Sequence, residues 1–353
     1  MAYSNITDPS AHFQTAIYTG NGDSSDDTNA ITNDGNSDLQ PDFIWLKRRD
    51  YDNGYQLIDS TRGVTKLMDT ETNAKEVTLA DRLASFDTDG FTVQSSSGAF
   101  NAENEPYVAW QWKANGGTTS TNNDGDVTST VQVNSDAGFS IITDGPHGNT
   151  NARTIGHGLG KKPTFIIRFN RGRIENKAVF FQGFGTYGGM TIDSEGTNHT
   201  STTHIFTDNF TSSVFSVGTD FRINGGYPYI TWCFTDVQGF SKSGSYKGSG
   251  GTGITAPFVY TGFKPAWIII KANSNYKYWN IYDNKRDTYN SAKTRLAPSI
   301  PNAEDTADGI DFLSNGFKIR NSGTTLNESG TTIAYMAFAE NPFVAGGVPT
   351  TAR

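Results

Sequence analysis

"KPAWIIIK", residues 264–271, is a proline followed by an aromatic, an unbroken apolar run and a closing lysine. Proline cannot donate to a strand ladder, so it marks a strand's first position, and a run without polar alternation suits a strand covered on both faces. The same pattern stands at "QPDFIWLK" (40–47) and "KKPTFIIRF" (161–169). A repeat of this kind governs the whole fold.

A second anchor closes each copy: "YVAWQW" (107–112), "YITWCF" (229–234) and "TIAYMAF" (332–338). Pro41 precedes Trp110 by 69 residues, Pro163 precedes Trp232 by 69, and Pro265 precedes Tyr335 by 70. With side chains alternating along a strand, Val108, Trp110 and Trp112 share a predicted core face, as do Ile230, Trp232 and Phe234, and Ile333 and Tyr335. Glycine turns open the copies at "IYTGNG" (17–22), "IITDGPHG" (141–148) and "GSYKGSGG" (244–251). "FDTDGFTV" (86–93) and "FLSNGFKI" (312–319) read as tight hairpins; the middle copy has "SVFSVG" (213–218) there instead. The expected architecture is all-β, with three tandem β-sandwich domains at 1–114, 137–240 and 241–343 related by internal repeat. A polar linker is expected at 115–136 and a tail at 344–353, with "LADRLASF" (79–86) the best short helix candidate.

The composition agrees with this pattern. Only 35% of the 353 residues are hydrophobic, yet 12% are aromatic, so core material is bulky rather than abundant, and 38 glycines imply frequent turns and short elements. A formal charge of -8, with no basic cluster beyond "KRR" (47–49), argues against a nucleic-acid surface. Cys233 is the only cysteine, so packing rather than disulfides must stabilise the chain. No long apolar segment and no basic-then-apolar N-terminus is present, which predicts neither membrane insertion nor secretion.

"YQLIDSTR" (55–62) and "WNIYDNKR" (279–286) share an aromatic, an apolar residue, an aspartate and an arginine at one spacing. Asp59 with Arg62, and Asp283 with Arg286, fall just past a strand end. There a carboxylate accepts turn N–H groups and pairs with a guanidinium, so a structural corner is expected. The middle copy has "AVFFQGFG" (178–185) without the pair.

Motifs for chemistry are missing. No two acids stand out as the carboxylate pair that glycoside hydrolysis needs. His12, His147, His157, His199 and His204 match no metal-ligand spacing. "GHGLGKKP" (156–163) reads as a tight turn, and no Gly-x-Ser-x-Gly elbow occurs. The acidic loops "NGDSSDD" (21–27) and "NNDGDVTS" (122–129) match no complete calcium loop, and the sequon at Asn198 carries no weight without a secretion signal. No catalytic residue, metal or cofactor is expected.

Several stretches carry a resemblance: "LQPDFIWLKRR", "YVAWQWKA", "GHGLGKKP", "FVYTGFKPAWIIIK", "DFLSNGFKIR" and the terminal "YMAFAENPFVAGGVPTTAR". Over essentially its whole length the chain resembles a family of tail-associated, tail-fibre-like virion proteins of mainly marine tailed bacteriophages. The resemblance implies sandwiches of jelly-roll or lectin-like type and a non-enzymatic virion protein assembled in the bacterial cytoplasm. Its partners would be other virion subunits and a host-surface glycan or protein receptor, and a homo-oligomer, a trimer first, is implied. Capsid decoration, a head fibre or a tail-linking role is the alternative, and a capsule-degrading enzyme comes last. In the loop "KANSNYKYWN" (271–280), Tyr276 and Tyr278 are candidates for stacking on a sugar face.

Overall fold

Phe43, Phe165 and Trp267 each stand two residues after the proline of their strand, and each has the same two cross-strand neighbours. Phe43 lies opposite Trp112 and Asp59, Phe165 opposite Phe234 and Phe181, and Trp267 opposite Phe338 and Asp283. The computed structural model describes residues 6–349 apart from 23–27, 95–96, 148–150, 186–188, 197–204, 208, 275, 343 and 346–347.

One antiparallel strand order recurs three times: an opening strand, a closing strand, a proline-led strand and a corner strand. The first sheet runs Phe13–Thr19, Pro106–Trp112, Phe43–Arg48, Gln56–Asp59. The second contains Phe139–Asp144, Tyr229–Phe234, Phe165–Asn170, Ala178–Phe181, and the third runs Ser241–Lys247, Thr332–Pro342, Phe263–Ala272, Asn280–Asp283. In the third sheet the proline sits inside the strand, at an irregularity of register between Lys264 and Trp267, a place where a residue without an N–H is tolerated.

The inner faces of the three sheets share one core. Trp112, Phe234 and Phe338, each opposite the first aromatic of its proline-led strand, touch one another with ring centres 6.1, 5.6 and 5.8 Å apart. Mutual contact of three equivalent residues places the sheets around an axis rather than in a row. Each sheet is also covered on its outer face. Strands Thr28–Thr32, Gly90–Gln94 and Leu83–Asp87 pack Ile31, Phe91 and Val93 against Ile44 and Leu46. Strands Arg153–Gly156 and Val214–Val217 pack Ile155 and Phe215 against Ile166 and Cys233. In the third unit Phe317 meets Tyr335 edge-on at 5.1 Å. Burial on both sides is the reason the proline-led strands have no polar alternation.

The structure departs from the sequence reading at several points. Residues 79–86 form no helix; Leu83–Asp87 is a strand, because Phe86 is drawn into cross-strand pairing with Phe91 around the tight turn at Thr88 and Asp89. Part of the stretch expected as a linker, Ser120–Asn122 and Ser129–Asn134, extends the second sheet, its polar composition hiding Val131, which is buried. The start of that stretch is held too, since the Asp42 carboxylate accepts from the N–H groups of Ala114, Gly116 and Gly117 at 2.7, 2.9 and 2.9 Å. In the third closing strand Ile333 and Tyr335 are buried as expected, but on the face toward the outer sheet, while Phe338 on the opposite face meets Trp112 and Phe234. The longer spacing from Pro265 had masked this parity. Beyond the sheets, Val344–Ala345 pairs with Val348–Pro349.

Candidate functional site

The duplicated corner is built from the backbone upward. After strand Gln56–Asp59 the chain turns, and Asp59 accepts from the N–H of Arg62 at 2.9 Å and from its Nε at 2.7 Å, while Arg62 Nη2 donates to Leu57 O at 3.2 Å. The third unit repeats this atom for atom: Arg286 N and Nε donate to Asp283 at 2.8 and 2.6 Å, and Nη2 to Ile281 O at 3.1 Å. Both ion pairs are fully buried. Every guanidinium nitrogen of the two arginines has a partner, Nη1 of each meeting a glutamate.

Each corner also reaches the next sheet. Arg62 lies 5.3 Å from the ring centre of Trp232 in the second sheet, and Arg286 lies 5.6 Å from that of Trp110 in the first. Glu76 accepts from Arg62 at 3.0 Å and takes Arg171 of the second unit bidentately at 2.7 and 2.9 Å. Glu304 likewise lies 3.5 Å from Arg286 and takes Arg49 of the first unit at 3.0 and 2.8 Å. Burial alone would raise the Glu76 carboxyl, but the two guanidiniums hold it below the usual range.

In the second unit Phe181 and Phe184 stand where the others have aspartate and arginine. Phe181 stacks on Trp279 of the third unit at 5.5 Å, and the turn Gln182–Phe184 lies against strand Thr332–Pro342, which has Met336 at the position of Trp110 and Trp232. An arginine faces each tryptophan, where the ring quadrupole attracts a cation, and the phenylalanine-bearing turn lies against the strand that has methionine at that position. First to second, second to third and third to first, the seams close a ring.

A second exchange follows the same logic. Lys47 lies 5.7 Å from the Tyr55 ring, while in the second unit the partners are reversed and Lys177 lies 5.4 Å from Phe169. Lys177 also pairs with Asp69 of the first unit. Lys47 donates to the carbonyls of Arg48 and Tyr51 at 2.6 and 2.7 Å, and Lys271 to those of Ala272 and Lys277 at 3.2 and 2.7 Å. Burial draws both amines down to about 8.

These lysines shape the loops between proline-led and corner strands. Tyr276 projects from one of them, 84% exposed, with φ of +59°. Tyr278 does not join it as a platform: it is half-buried, its hydroxyl bonded to Glu195, and burial followed by that carboxylate raises its pKa. The corresponding loops present Tyr51 and Ile174, both exposed. The sequence reading passed over these two because neither lies in an aromatic-rich segment. Lys277 Nζ donates to Thr324 at 2.8 Å and Ser274 to Glu328 at 2.5 Å, so Tyr276 rides on a pinned loop.

One buried polar network was also missed. Arg168, the lone charge in "FIIRF", donates to both Asp144 oxygens at 2.6 and 2.7 Å, to Thr231 at 2.7 Å and to Ile223 O at 2.9 Å, and lies over Tyr229. His147 Nε2 meets Asp144 at 2.7 Å. Burial opposes the charge on Asp144, but Arg168 and His147 hold its carboxyl below the usual range. This network locks one face of the second sheet. Among the described residues no group of three or more His, Cys, Asp or Glu side chains gathers as a metal site; His199 and His204, the sequon and most of 21–27 lie outside them.

Residues 8–342 match the family described as Domain of unknown function (DUF7483), and the chain belongs to that family. No curated protein matches it.

Proposed function

We propose that this chain is a non-enzymatic structural protein of tailed-bacteriophage particles, tail-fibre-like, that meets a host-surface glycan or protein through loops on a rigid frame. The observation that carries this reading is the trio of exposed side chains Tyr51, Ile174 and Tyr276 on corresponding loops of a ring whose interior is closed by aromatic contacts. Rigid frames with solvent-facing loop tips are built for recognition. Further support comes from the buried aspartate–arginine corners, which fasten neighbouring sheets. Within this proposal the finer architecture is three jelly-roll or lectin-like sandwiches related by internal repeat, for which the recurring strand order is the support.

A role in decorating the capsid or linking tail parts is the second reading. It is favoured by the ring itself, since one chain that surrounds its own axis suits a threefold position in a particle without a homotrimer. Sedimentation separates the cases: a 38.3 kDa species supports the single-chain ring and a threefold mass the trimeric fibre. Antibody labelling of intact particles tests the main proposal. Label at the tail supports it, label over the head moves the chain to the second reading, and particles free of the chain end both. Release of reducing ends from host polysaccharide would instead make it an enzyme.

A further inference from the structure

The third corner carries extra chain that the first lacks. The bridge Leu57 to Met68 closes the first corner over eleven residues, while Ile281 to Leu296 closes the third over fifteen. The longer excursion raises Tyr289, 86% exposed, on the wall of a cleft of about 330 Å³ shared with Asn284, Lys285, Phe312 and Glu340. Asn284, Lys285 and Glu340 also wall an adjoining cleft of about 190 Å³ with Gln14, Asp34 and Asn341. The two form one groove on the seam between the third and first units, in the size range of small-molecule sites, roughly 300–1,000 Å³.

The groove walls are fixed by bonds made elsewhere. Gln14 donates to Ser10 O and Ser37 O at 3.0 and 2.8 Å and accepts from Gly35 N at 2.9 Å. Asp287 accepts from the N–H groups of Lys293 and Thr294 at 2.6 and 2.5 Å, and Asn290 exchanges bonds with the Phe312 backbone at 2.9 and 2.8 Å. Four of the five wall charges cancel in pairs, Lys264 with Glu340 at 2.8 Å and Lys285 with Asp34 at 2.7 Å, and the fifth, Asp287, is held by those N–H groups and the Thr294 hydroxyl at 2.9 Å. Among the described residues, the uncommitted groups on the walls include the ring and hydroxyl of Tyr289 and the side-chain amides of Asn284 and Asn341, both half-buried.

Amides offer donor and acceptor together, which matches vicinal hydroxyls, and an exposed phenol ring offers a face to the C–H side of a pyranose. With two ion pairs cancelled and Asp287 the one wall charge without a cationic partner among the described residues, the walls repel an anionic ligand, and a neutral one needs no counter-charge. We propose that this seam groove binds a neutral saccharide, Tyr289 stacking on a sugar ring while Asn284 and Asn341 take its hydroxyls. The site deepens the host-recognition reading above and rests on it for its biological sense.

Short neutral gluco-, galacto- and manno-oligosaccharides titrated into the purified chain, followed by saturation-transfer NMR and calorimetry, test it. At least one should saturate the wild type and Ile254→Ala, an exposed change outside the groove, and bind at least about tenfold more weakly to Tyr289→Ala and Asn284→Ala at unchanged melting temperature. Tyr289→Ala binding as tightly as wild type, or no saturation by any member of the panel, overturns the site. The readout is taken on isolated protein, so it is independent of whether antibody finds the chain in particles.

Discussion

Arg286 and Trp110 belong to the third and first sheets, yet the guanidinium lies 5.6 Å from the indole ring centre, and the indole N–H donates at 3.0 Å to Asp283, the arginine's own partner. A corner that closes one strand end thereby fastens another sheet. Removing Arg286 leaves Asp283 as a buried carboxylate with its strongest partner gone, so Arg286→Ala should lose about 3–5 kcal/mol in urea denaturation. Arg286→Lys should recover only part, because an ammonium cannot make the forked contact and stack at once. Wild-type stability in the alanine variant would remove the clamp from the account.

The ring of Trp112, Phe234 and Phe338 predicts a contrast between core and loop. Phe234→Ala opens a cavity shared by three sheets and should cost about 3–5 kcal/mol. Tyr276→Ala touches nothing the frame needs and should stay within about 0.5 kcal/mol of wild type, while weakening host attachment if the recognition reading holds. Paired thermal melts and adsorption assays measure the two effects separately.

Glu71 and His157 should make stability respond to pH in opposite directions. The Glu71 carboxyl, accepting from Tyr55 N at 3.1 Å and Thr70 N at 3.2 Å, is pushed up to about 7 by burial and then by Asp69, against an ordinary value of 4.5. The native state therefore holds a proton that the unfolded chain has released, and this contribution is complete below about pH 4.5 and lost as pH rises through 7. Glu71→Gln should match wild type near pH 4.5 and exceed it by about 2–3 kcal/mol near pH 8. A difference that does not change with pH would show that this carboxyl titrates normally.

His157 accepts from Leu159 N at 3.1 Å through Nδ1, so the neutral ring is the one the turn holds, with Nε2 directed at Thr211 O at 3.3 Å. Burial lowers its pKa to about 4 from 6.5. The unfolded chain binds the extra proton between these values, so stability is complete above about pH 6.5 and falls by about 3 kcal/mol as pH drops through 4. Titration of the His157 ring by NMR checks this directly; a midpoint near 6.5 in the folded protein would be incompatible with it.

Gly90 follows the tight turn at φ of +107°, where a Cβ would lie 1.9 Å from Ile31 O. Gly90→Ala should cost more than the ~1 kcal/mol of an ordinary glycine replacement, since both the torsion and a neighbouring backbone forbid the methyl. Chemical denaturation beside Gly63→Ala, whose Cβ meets nothing within 4 Å but shares the positive φ, separates steric from torsional cost.

The repeat, the strand ends and the aspartate–arginine corners were legible because each is local: a proline without an N–H, an apolar run, or a carboxylate three residues before a guanidinium declares itself within a few positions. The middle copy's corner was legible as "AVFFQGFG" (178–185), but not its contacts, since Phe181 and Phe184 share with Asp59 and Arg62 a place in the fold and no chemistry. Val131 was hidden in a polar stretch because a strand joined to the edge of a larger sheet needs few apolar residues of its own. Tyr276 and Tyr278 look alike in sequence, but a carboxylate from a distant loop commits one and leaves the other exposed.

What the sequence by itself determined is the inventory: three aromatic strand sets at nearly constant spacing, with charges placed at their ends. Only the tertiary structure decided that Trp112, Phe234 and Phe338 meet one another, and that the arginine corners of the first and third sheets each meet a tryptophan of another sheet. The reason is physical. Pattern along a strand states which side chains must leave water, whereas which sheets cover them depends on closing a ring through contacts between residues more than a hundred positions apart.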